Sequence, residues 1–509
     1  MDVRARRAGH LVSPVAGAGG AIGPGSGRLA VTMPWWGMAL LVFGLNFGLW
    51  GSVGLCRLLA TMTSRARRRL TARRPAAAVP AAGTAGPAAG TAGSSPVRRG
   101  RRAPRYAGRR GGLTVNDVAV LIPAHNEAAI IGESLQAITG LVPPRNVHVV
   151  SDASTDDTVP QALAAGARVI ETARNVGKAG ALAEAIRRFR LLDRYSVIML
   201  LDADTRVEPG YFAAALPFFD NPDVVAVAGA VRVATDRRLS AAGQLLVGHR
   251  RRIYAIGQRV LKFGQTSLHA NATHIVPGFA SMYRADVLPE MDINPPGLVI
   301  EDFNMTFEVY QKRLGKVGFT LGAVAVTQDP DNLRDYIRQT RRWALGFWQT
   351  IRRHRLRCNL FTAMLFLLVA ELFTASLIFL VLPLLLLILA MPDLVAGAAT
   401  WPGFGLVYVT LAAHMKLTTI AFGVLLPDLA MTVIVAIIER QPRMLLFAPL
   451  FPVLRVLDAA LGLWAIPLAF RSRSDGRWQS PARQQRLVPL EPAAALAPQF
   501  AGDGPHASG

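Results

Sequence analysis

Cysteine is nearly absent from this 509-residue chain, and one long stretch has no acidic residue. Only Cys56 and Cys358 occur, the first inside an apolar run, so a disulfide framework is excluded as the source of stability. From Arg57 to Gly112 there are fourteen Arg and no Asp or Glu. The formal charge of +23 is therefore concentrated in one linker rather than spread along a groove. That linker has no run of aromatics on which bases could stack, which argues against nucleic acid as a partner. Lys is scarce beside Arg, and Ala, Gly and Pro are abundant, which points to a GC-rich genome rather than to a function.

What the chain has in quantity is apolar surface. Hydrophobic residues make up 51% of it and the mean hydropathy is +0.31, unusual for a soluble protein of this length. Residues 1–33 read as a disordered N-terminus. Residues 34–56 carry no charge and include Trp35, Trp36, Leu40, Phe43, Phe47 and Trp50. About 20 apolar residues span a bilayer, and Trp at both ends suits its interfaces, so this segment is expected to be a transmembrane helix. A signal peptide is the rival reading, but the core is too long and lacks a small-residue cleavage site. The basic low-complexity linker of residues 57–112 follows at once, which places that side in the cytoplasm. Residues 358–470 are again mostly apolar, interrupted by His414, Lys416, Asp428, Arg455 and Asp458, and read as a transmembrane helical region. Arg471, Arg473 and Arg477 argue for a cytoplasmic C-terminus, hence an even number of crossings in that region, and residues 471–509 read as a disordered tail.

Between these regions, residues 113–330 alternate short apolar strands with helical patterns. Strands are expected at 118–122, 147–150, 168–171 and 197–201, and helices at 128–138, 155–165 and 178–192. Such alternation implies a parallel, Rossmann-like sheet. Residues 331–357 form an amphipathic helix whose apolar face, with Trp on it, suits a membrane surface; the bland reading is a helix docked on its own domain.

The chemistry is expected at the end of the fourth strand. Val197 to Leu201 empties into Asp202-Ala203-Asp204, which presents carboxylates at the C-terminal edge of the sheet, where open α/β sheets bind ligands. Hard divalent cations prefer oxygen ligands and bridge phosphates. A nucleotide diphosphate is thus the expected ligand. His269 and His274 read as ordinary polar contacts rather than ligands.

With further motifs, the chain resembles the processive family 2 glycosyltransferases, the cellulose, chitin, hyaluronan and poly-N-acetylglucosamine synthases. The motifs are Pro123-Ala124-His125-Asn126-Glu127, Ser151-Asp152-Ala153-Ser154-Thr155-Asp156, Asn175-Val176-Gly177-Lys178, Gly278-Phe279-Ala280-Ser281, Ile300-Glu301-Asp302 and Gln339-Thr340-Arg341-Arg342-Trp343. Ser151 and Ala153 stand where the family has Asp and Gly, and Ile300 where it has Thr. The resemblance implies an α/β GT-A catalytic domain inserted between transmembrane α-helices, in a multi-pass protein of the cell membrane with that domain in the cytoplasm. It implies transfer with inversion from a nucleotide sugar, UDP-N-acetylglucosamine or UDP-glucose, to a growing β-linked polysaccharide. By the same resemblance Asp302 is the general base, with Glu301 beside it. Asp152, Lys178, Asp202, Arg342 and Trp343 would bind the donor. Gln339, Trp343 and Gly278 would bind the acceptor. Asp204 and Asp202 would hold Mg2+ or Mn2+. Asp302 could instead be a helix N-cap, and Trp343 could merely pack its helix. The implied partners are membrane lipids and accessory export proteins. Single transfer to a lipid carrier is the alternative acceptor reading, and an inactive membrane scaffold the alternative of another class.

Overall fold

The computed structural model describes residues 32–72, 112–234, 238–472 and 474. Residues 1–31, the linker beyond Ala72 and the tail beyond Ser474 lie outside the described residues, and with them most of the segments expected to be unstructured.

Eight strands form one sheet: β1 (Val118–Ala124), β2 (Val147–Ser151), β3 (Arg168–Glu171), β4 (Val197–Leu201), β5 (Arg206–Val207), β6 (Val224–Val233), β7 (Ala280–Arg284) and β8 (Lys316–Thr327). Their order is β3-β2-β1-β4-β7-β6-β8-β5. The β3-β2-β1-β4 half is parallel, as the alternation of strand and helix predicts. β7 runs antiparallel to both β4 and β6, making a mixed sheet. Every residue of β1, β2 and β4 is buried because helices cover both faces. Side chains alternate across each strand. Ala119, Leu121, Ile198 and Leu200 meet Ala181, Leu182 and Ala185 of the helix Gly177–Arg188. Val118, Val120, Ile122, Val197 and Met199 meet Ile131, Leu135 and Ile138 of the helix Ile131–Thr139. Expected helices at 128–138, 155–165 and 178–192 are found at Ile131–Thr139, Thr158–Ala164 and Gly177–Arg188.

The first of these apolar layers does not stop at the catalytic domain. It continues through Phe307, Phe347, Phe263 and Trp50 to Phe361 and Leu365 of the helix Leu360–Leu394. The domain and the apolar helices thus share one core. Charged pairs add to this attachment. Asp428 accepts from Arg252 at 2.5 Å and from Arg455 at 2.8 Å, while Asp458 accepts from Tyr336 at 2.7 Å and meets His249 at 3.0 Å. Ionisable groups in apolar helices are costly and are found paired in this way.

Three described helices are long and apolar enough to cross a membrane: Leu360–Leu394, Leu417–Ile438 and Met444–Arg471. Phe404–His414, with 11 residues, reaches about 16 Å at 1.5 Å per residue, too short for a bilayer core of about 30 Å. The even number of crossings expected after the catalytic domain is therefore not met by the long helices.

The apolar segment expected as a span at 34–56 is bent, and its two helices together are long and apolar enough for one broken span. The chain forms two helices, Trp35–Phe43 and Leu45–Ala72, bent by 77° at Gly44. Gly44 has φ +82°, and a Cβ there would overlap the Glu371 carboxylate, which accepts from the Asn46 backbone N–H at 2.9 Å and from its side-chain amide at 2.8 Å. The second helix also runs 16 residues into the expected linker, since Leu, Ala and Arg are good helix formers.

The amphipathic helix expected at 331–357 is found at Leu333–Arg353, with protein over much of its apolar face. In the helix Leu333–Arg353, Tyr336, Thr340, Phe347, Gln349 and Thr350 are buried in protein. Trp348 donates to the Gly462 carbonyl at 3.2 Å, so the apolar face docks on the helix Phe451–Arg471.

Gly264 sits where the helix Leu45–Ala72 crosses the domain, and a Cβ there would overlap the Trp50 carbonyl. Gly264→Ala should force that helix away and destabilise the protein by about 1–3 kcal/mol, an overpacking cost. Thermal unfolding of the variant in detergent measures this; an unchanged Tm would show that the crossing is not tightly packed.

Candidate active site

The site is built where β4 ends. Asp202 follows the last β4 residue, and its backbone N–H donates to the Phe279 carbonyl at 2.9 Å, which ties it to the loop before β7. The Lys178 ammonium meets Asp202 at 2.7 Å and Glu301 at 3.0 Å. Burial disfavours that ammonium, but the two carboxylates outweigh burial and raise its pKa. Lys178 thus joins two carboxylates instead of presenting a lone cation to phosphate. Asp204 lies two residues on, its carboxylate accepting from the Thr205 hydroxyl at 3.1 Å. Asp202 is pushed up by burial and, despite Lys178, by repulsion from Asp204.

Glu301 and Asp302 open the helix Glu301–Gln311. The capping position is Ile300, so Asp302 is not the N-cap. Its carboxylate accepts from the Phe303 backbone at 2.7 Å and from the Gly278 backbone at 3.2 Å. Burial and repulsion by Glu301 push the Asp302 pKa up to about 6, against the pull of Lys178. Attraction to Lys178 holds Glu301 low in spite of burial. Two adjacent carboxylates with divergent pKa values are a common sign of acid–base function.

The loop before Asp302 rests on the helix Leu333–Arg353. The Val299 N–H donates to the Gln349 side chain at 3.1 Å, and Ile300 packs over Gly346. On the same helix Gln339, Arg342 and Trp343 line a cavity of about 1670 Å3 together with Lys178, Asp202, Asp204, Gly278, Glu301 and Asp302. Arg342 is exposed within it and is attracted to Glu301. Among the described residues the buried Gln339 side-chain carbonyl has no hydrogen-bond partner. Trp343 is half-buried, with the Arg250 guanidinium 4.5 Å from its ring centre and 4.4 Å from that of Tyr336.

Asp152, expected to bind the nucleotide, lies at the end of β2 and beside the start of the Lys178 helix. It is fully buried and outside the cavity wall. Its oxygens accept from the Thr172 hydroxyl at 2.8 Å and from the Val176 and Gly177 backbones at 2.9 and 2.8 Å. It organises the turn that starts the Lys178 helix. Its neighbour Ala153 has φ +54°, a conformation that explains why Gly is usual there in the resembled family.

Among the described residues no three His, Cys, Asp or Glu cluster as a metal cage. The Asp202–Asp204 pair suits a cation that takes one or two carboxylates and completes its shell with phosphate and water, the usual habit of Mg2+. Sequence reasoning missed Arg250, which holds Trp343, and Lys262, which faces the cavity. Neither carries a motif signal. His274 also lines the cavity, where only an ordinary contact was expected.

Asp152→Ala strands buried donors, each costing roughly 1–3 kcal/mol. It should lower Tm without any ligand present; an unchanged Tm in the apo protein would contradict its organising role.

Comparison with known proteins bears on the same region. Residues 119–291 match the family model described as Glycosyl transferase family 2. An uncharacterized glycosyltransferase of Escherichia coli K12, YaiP, is 27% identical over 250 residues, 47% of this chain and 58% of the relative. A probable glycosyltransferase of Bacillus subtilis 168, YdaM, is 28% identical over 240 residues, 45% of this chain and 54% of the relative. The chain thus spans little more than half the length of these relatives. Among solved structures, a mannosyltransferase of Pyrobaculum calidifontis in complex with GDP-Man and Mn2+ aligns with TM-score 0.44 and 19% identity, over 84% of this chain and 99% of that one. Glucosyl-3-phosphoglycerate synthase of Mycobacterium tuberculosis, with Mn2+, UDP and glucosyl-3-phosphoglycerate, aligns with TM-score 0.30 and 18% identity, over 48% and 83%. Over residues 119–291 the chain carries a Glycosyl transferase family 2 domain, built on a GT-A-like mixed sheet of Rossmann-like fold.

Proposed function

We propose that the protein is a membrane-embedded, inverting glycosyltransferase that adds sugar from a nucleotide sugar, UDP-N-acetylglucosamine or UDP-glucose, to a growing β-linked polysaccharide. The carrying observation is one cavity that contains the Asp202–Asp204 pair, Asp302 and the Gln339–Arg342–Trp343 set together. The matched family and the nucleotide sugars and Mn2+ named for the solved structures support the same reading.

The chain's residues divide the work. The donor diphosphate lies against Asp202 and Asp204, with Arg342 offering a planar fork to its oxygens. Those two carboxylates would hold a Mg2+ or Mn2+ ion, whose charge neutralises the departing diphosphate. Asp302 accepts the proton of the acceptor hydroxyl as that oxygen attacks the anomeric carbon. The bond from that carbon to the phosphate oxygen breaks on the opposite face, and its electron pair leaves with the diphosphate. Lys178 holds Glu301 and Asp202 in place for this geometry. Trp343 gives the acceptor ring a flat face, and the unpartnered Gln339 carbonyl accepts from one of its hydroxyls. The catalytic domain faces the cytoplasm, where nucleotide sugars are made.

One observation favours a second reading of the acceptor. The cavity continues between the apolar helices along Val42, Phe47, Leu368, Leu372 and Phe379, a wall that fits a lipid tail. A product that stays a lipid-linked monosaccharide under excess donor would select the lipid carrier; one that lengthens with time selects the polymer.

Asp302→Asn keeps the shape of the side chain and removes the base, so transfer should fall ~10²–10⁴-fold while UDP binding persists. Normal turnover by this variant would place the base elsewhere. In the wild type the base works only when ionised, so the rate should rise with pH through about 6 and level off above it. A rate flat from pH 5 to 8 would contradict that assignment. Asp204→Ala should abolish transfer, and a chelator should do the same to the wild type; full activity in a chelator would remove the metal role.

A further inference from the structure

The helix Phe451–Arg471 is long enough to cross a membrane, since its 21 residues rise about 31 Å. Its contacts run against a crossing. Just before it, Met444 packs on Ala255 of the helix Ala241–Ile256. Its first residue is Phe451, whose ring centre lies 5.7 Å from that of His249 and 4.8 Å from the Arg252 guanidinium on that same helix. Midway, Asp458 accepts from Tyr336 and the Gly462 carbonyl from Trp348, both on Leu333–Arg353. At its end the Ala469 carbonyl accepts from Arg352, and just beyond it the Ser474 N–H donates to the Gly297 carbonyl at 3.3 Å. Both ends thus rest on the domain that carries the sheet. Gln258, one turn on from Ala255, exchanges hydrogen bonds with the Val231 backbone of β6, and Gly297 leads into the helix Glu301–Gln311.

The other two long helices are placed differently. Leu360–Leu394 starts on the domain, where the Phe361 ring stacks on Tyr310 with centres 4.6 Å apart, and its later part meets Met38, Ile420 and Val424, away from the domain. Leu417–Ile438 starts beside Met33, whose carbonyl accepts from Thr419 at 3.2 Å, and returns to the domain where Val435 and Ala436 meet Ala255. Each has one end at the domain and one away from it. A helix that crosses a bilayer has its ends on opposite sides, whereas the domain occupies one side.

The face that Phe451–Arg471 leaves uncovered is apolar. Val453, Trp464 and Pro467 are exposed and, 11 and 14 residues apart, share one side of the helix. The Arg341 guanidinium lies 4.0 Å over the Trp464 ring, and Arg334 and Arg338 stand exposed on the same neighbouring helix. Tryptophan beside arginine suits a surface at the level of lipid headgroups. We propose that Phe451–Arg471 does not cross the bilayer but lies in its interface on the catalytic domain's side, with Val453 and Trp464 in lipid and these arginines at the headgroups. The chain then crosses twice after that domain, and Ser474 lies on the domain's side. This rests on the membrane-embedded reading and not on which sugar is transferred.

The test uses the full chain in lipid vesicles, with Cys56→Ser and Cys358→Ser removing the two native thiols. Spin labels are attached one at a time through Val453→Cys, Trp464→Cys and Leu384→Cys. Their depth is read by EPR from collisions with oxygen and with an aqueous nickel chelate. In a spanning helix the 11 residues from Val453 to Trp464 separate the labels by about 16 Å of depth. In an interfacial helix both labels should lie roughly 5–10 Å below the headgroups. A difference above ~8 Å, half the spanning rise, overturns the proposal. So do labels that both lie in water, or labels shielded from both reagents, which would mean that protein covers the stripe. Leu384, exposed on Leu360–Leu394, tests the membrane reading separately. Its label in water contradicts embedding, while a deep Leu384 with unequal Val453 and Trp464 refutes the interfacial helix alone.

Discussion

The arrangement of the site depends on one ammonium among four carboxylates. Asp202, Asp204, Glu301 and Asp302 line one cavity, where the low dielectric strengthens their mutual repulsion. Lys178 bridges Asp202 and Glu301 and so makes it possible to hold β4's end beside the start of the helix Glu301–Gln311. The position of Lys178 depends in turn on Asp152, whose carboxylate gathers the backbone of Val176 and Gly177 just before it. Charge placement thus passes from a wholly buried residue to Asp202 and Glu301 in two steps. The remaining excess of negative charge is what a cation and a cationic wall would relieve. Burial first, and then repulsion by Glu301, push the Asp302 pKa up to about 6.

The same site is tied to the apolar helices by packing. The helix Leu333–Arg353 supports Asp302's loop through Gln349 and Gly346 and docks on Phe451–Arg471 through Trp348. Arg250 lies between the rings of Tyr336 and Trp343 and donates to Thr340, which fixes the tryptophan against a neighbouring helix. Displacing the apolar helices would therefore disturb the part of the cavity lined by Gln339, Arg342 and Trp343 before it disturbed the sheet. The catalytic domain and the apolar helices thus share one core.

Much of the catalytic domain was legible in the sequence because β1, β2 and β4 are short apolar runs buried on both faces. The runs Arg168–Glu171 and Val197–Leu201 matched the strands found, and Asp202 falls at the end of the second as the pattern required. Helix ends were less legible, since Thr158 and Ile131 begin helices three residues later than apolar spacing suggested. The antiparallel β7 and the parallel pairing of β6 with β8 come from long-range register that no local pattern records. The bend at Gly44 depends on Glu371, more than 300 residues away, so a 23-residue apolar run read as one straight span. Amphipathicity in Leu333–Arg353 was visible, but not whether protein or lipid covers the apolar face. Asp152 was singled out by its motif while its actual partners, Thr172 and two backbone amides, could be seen only in three dimensions. Arg250 carried no local signal because its importance lies in what surrounds it.

The most direct test of the central claim is product analysis. The full-length protein, reconstituted in lipid with Mg2+ or Mn2+, is incubated with labelled UDP-N-acetylglucosamine and UDP-glucose in turn, and the products are sized over time. The account predicts release of UDP with label entering a product that lengthens as the incubation continues. Absence of UDP release and of labelled product with either donor would contradict it.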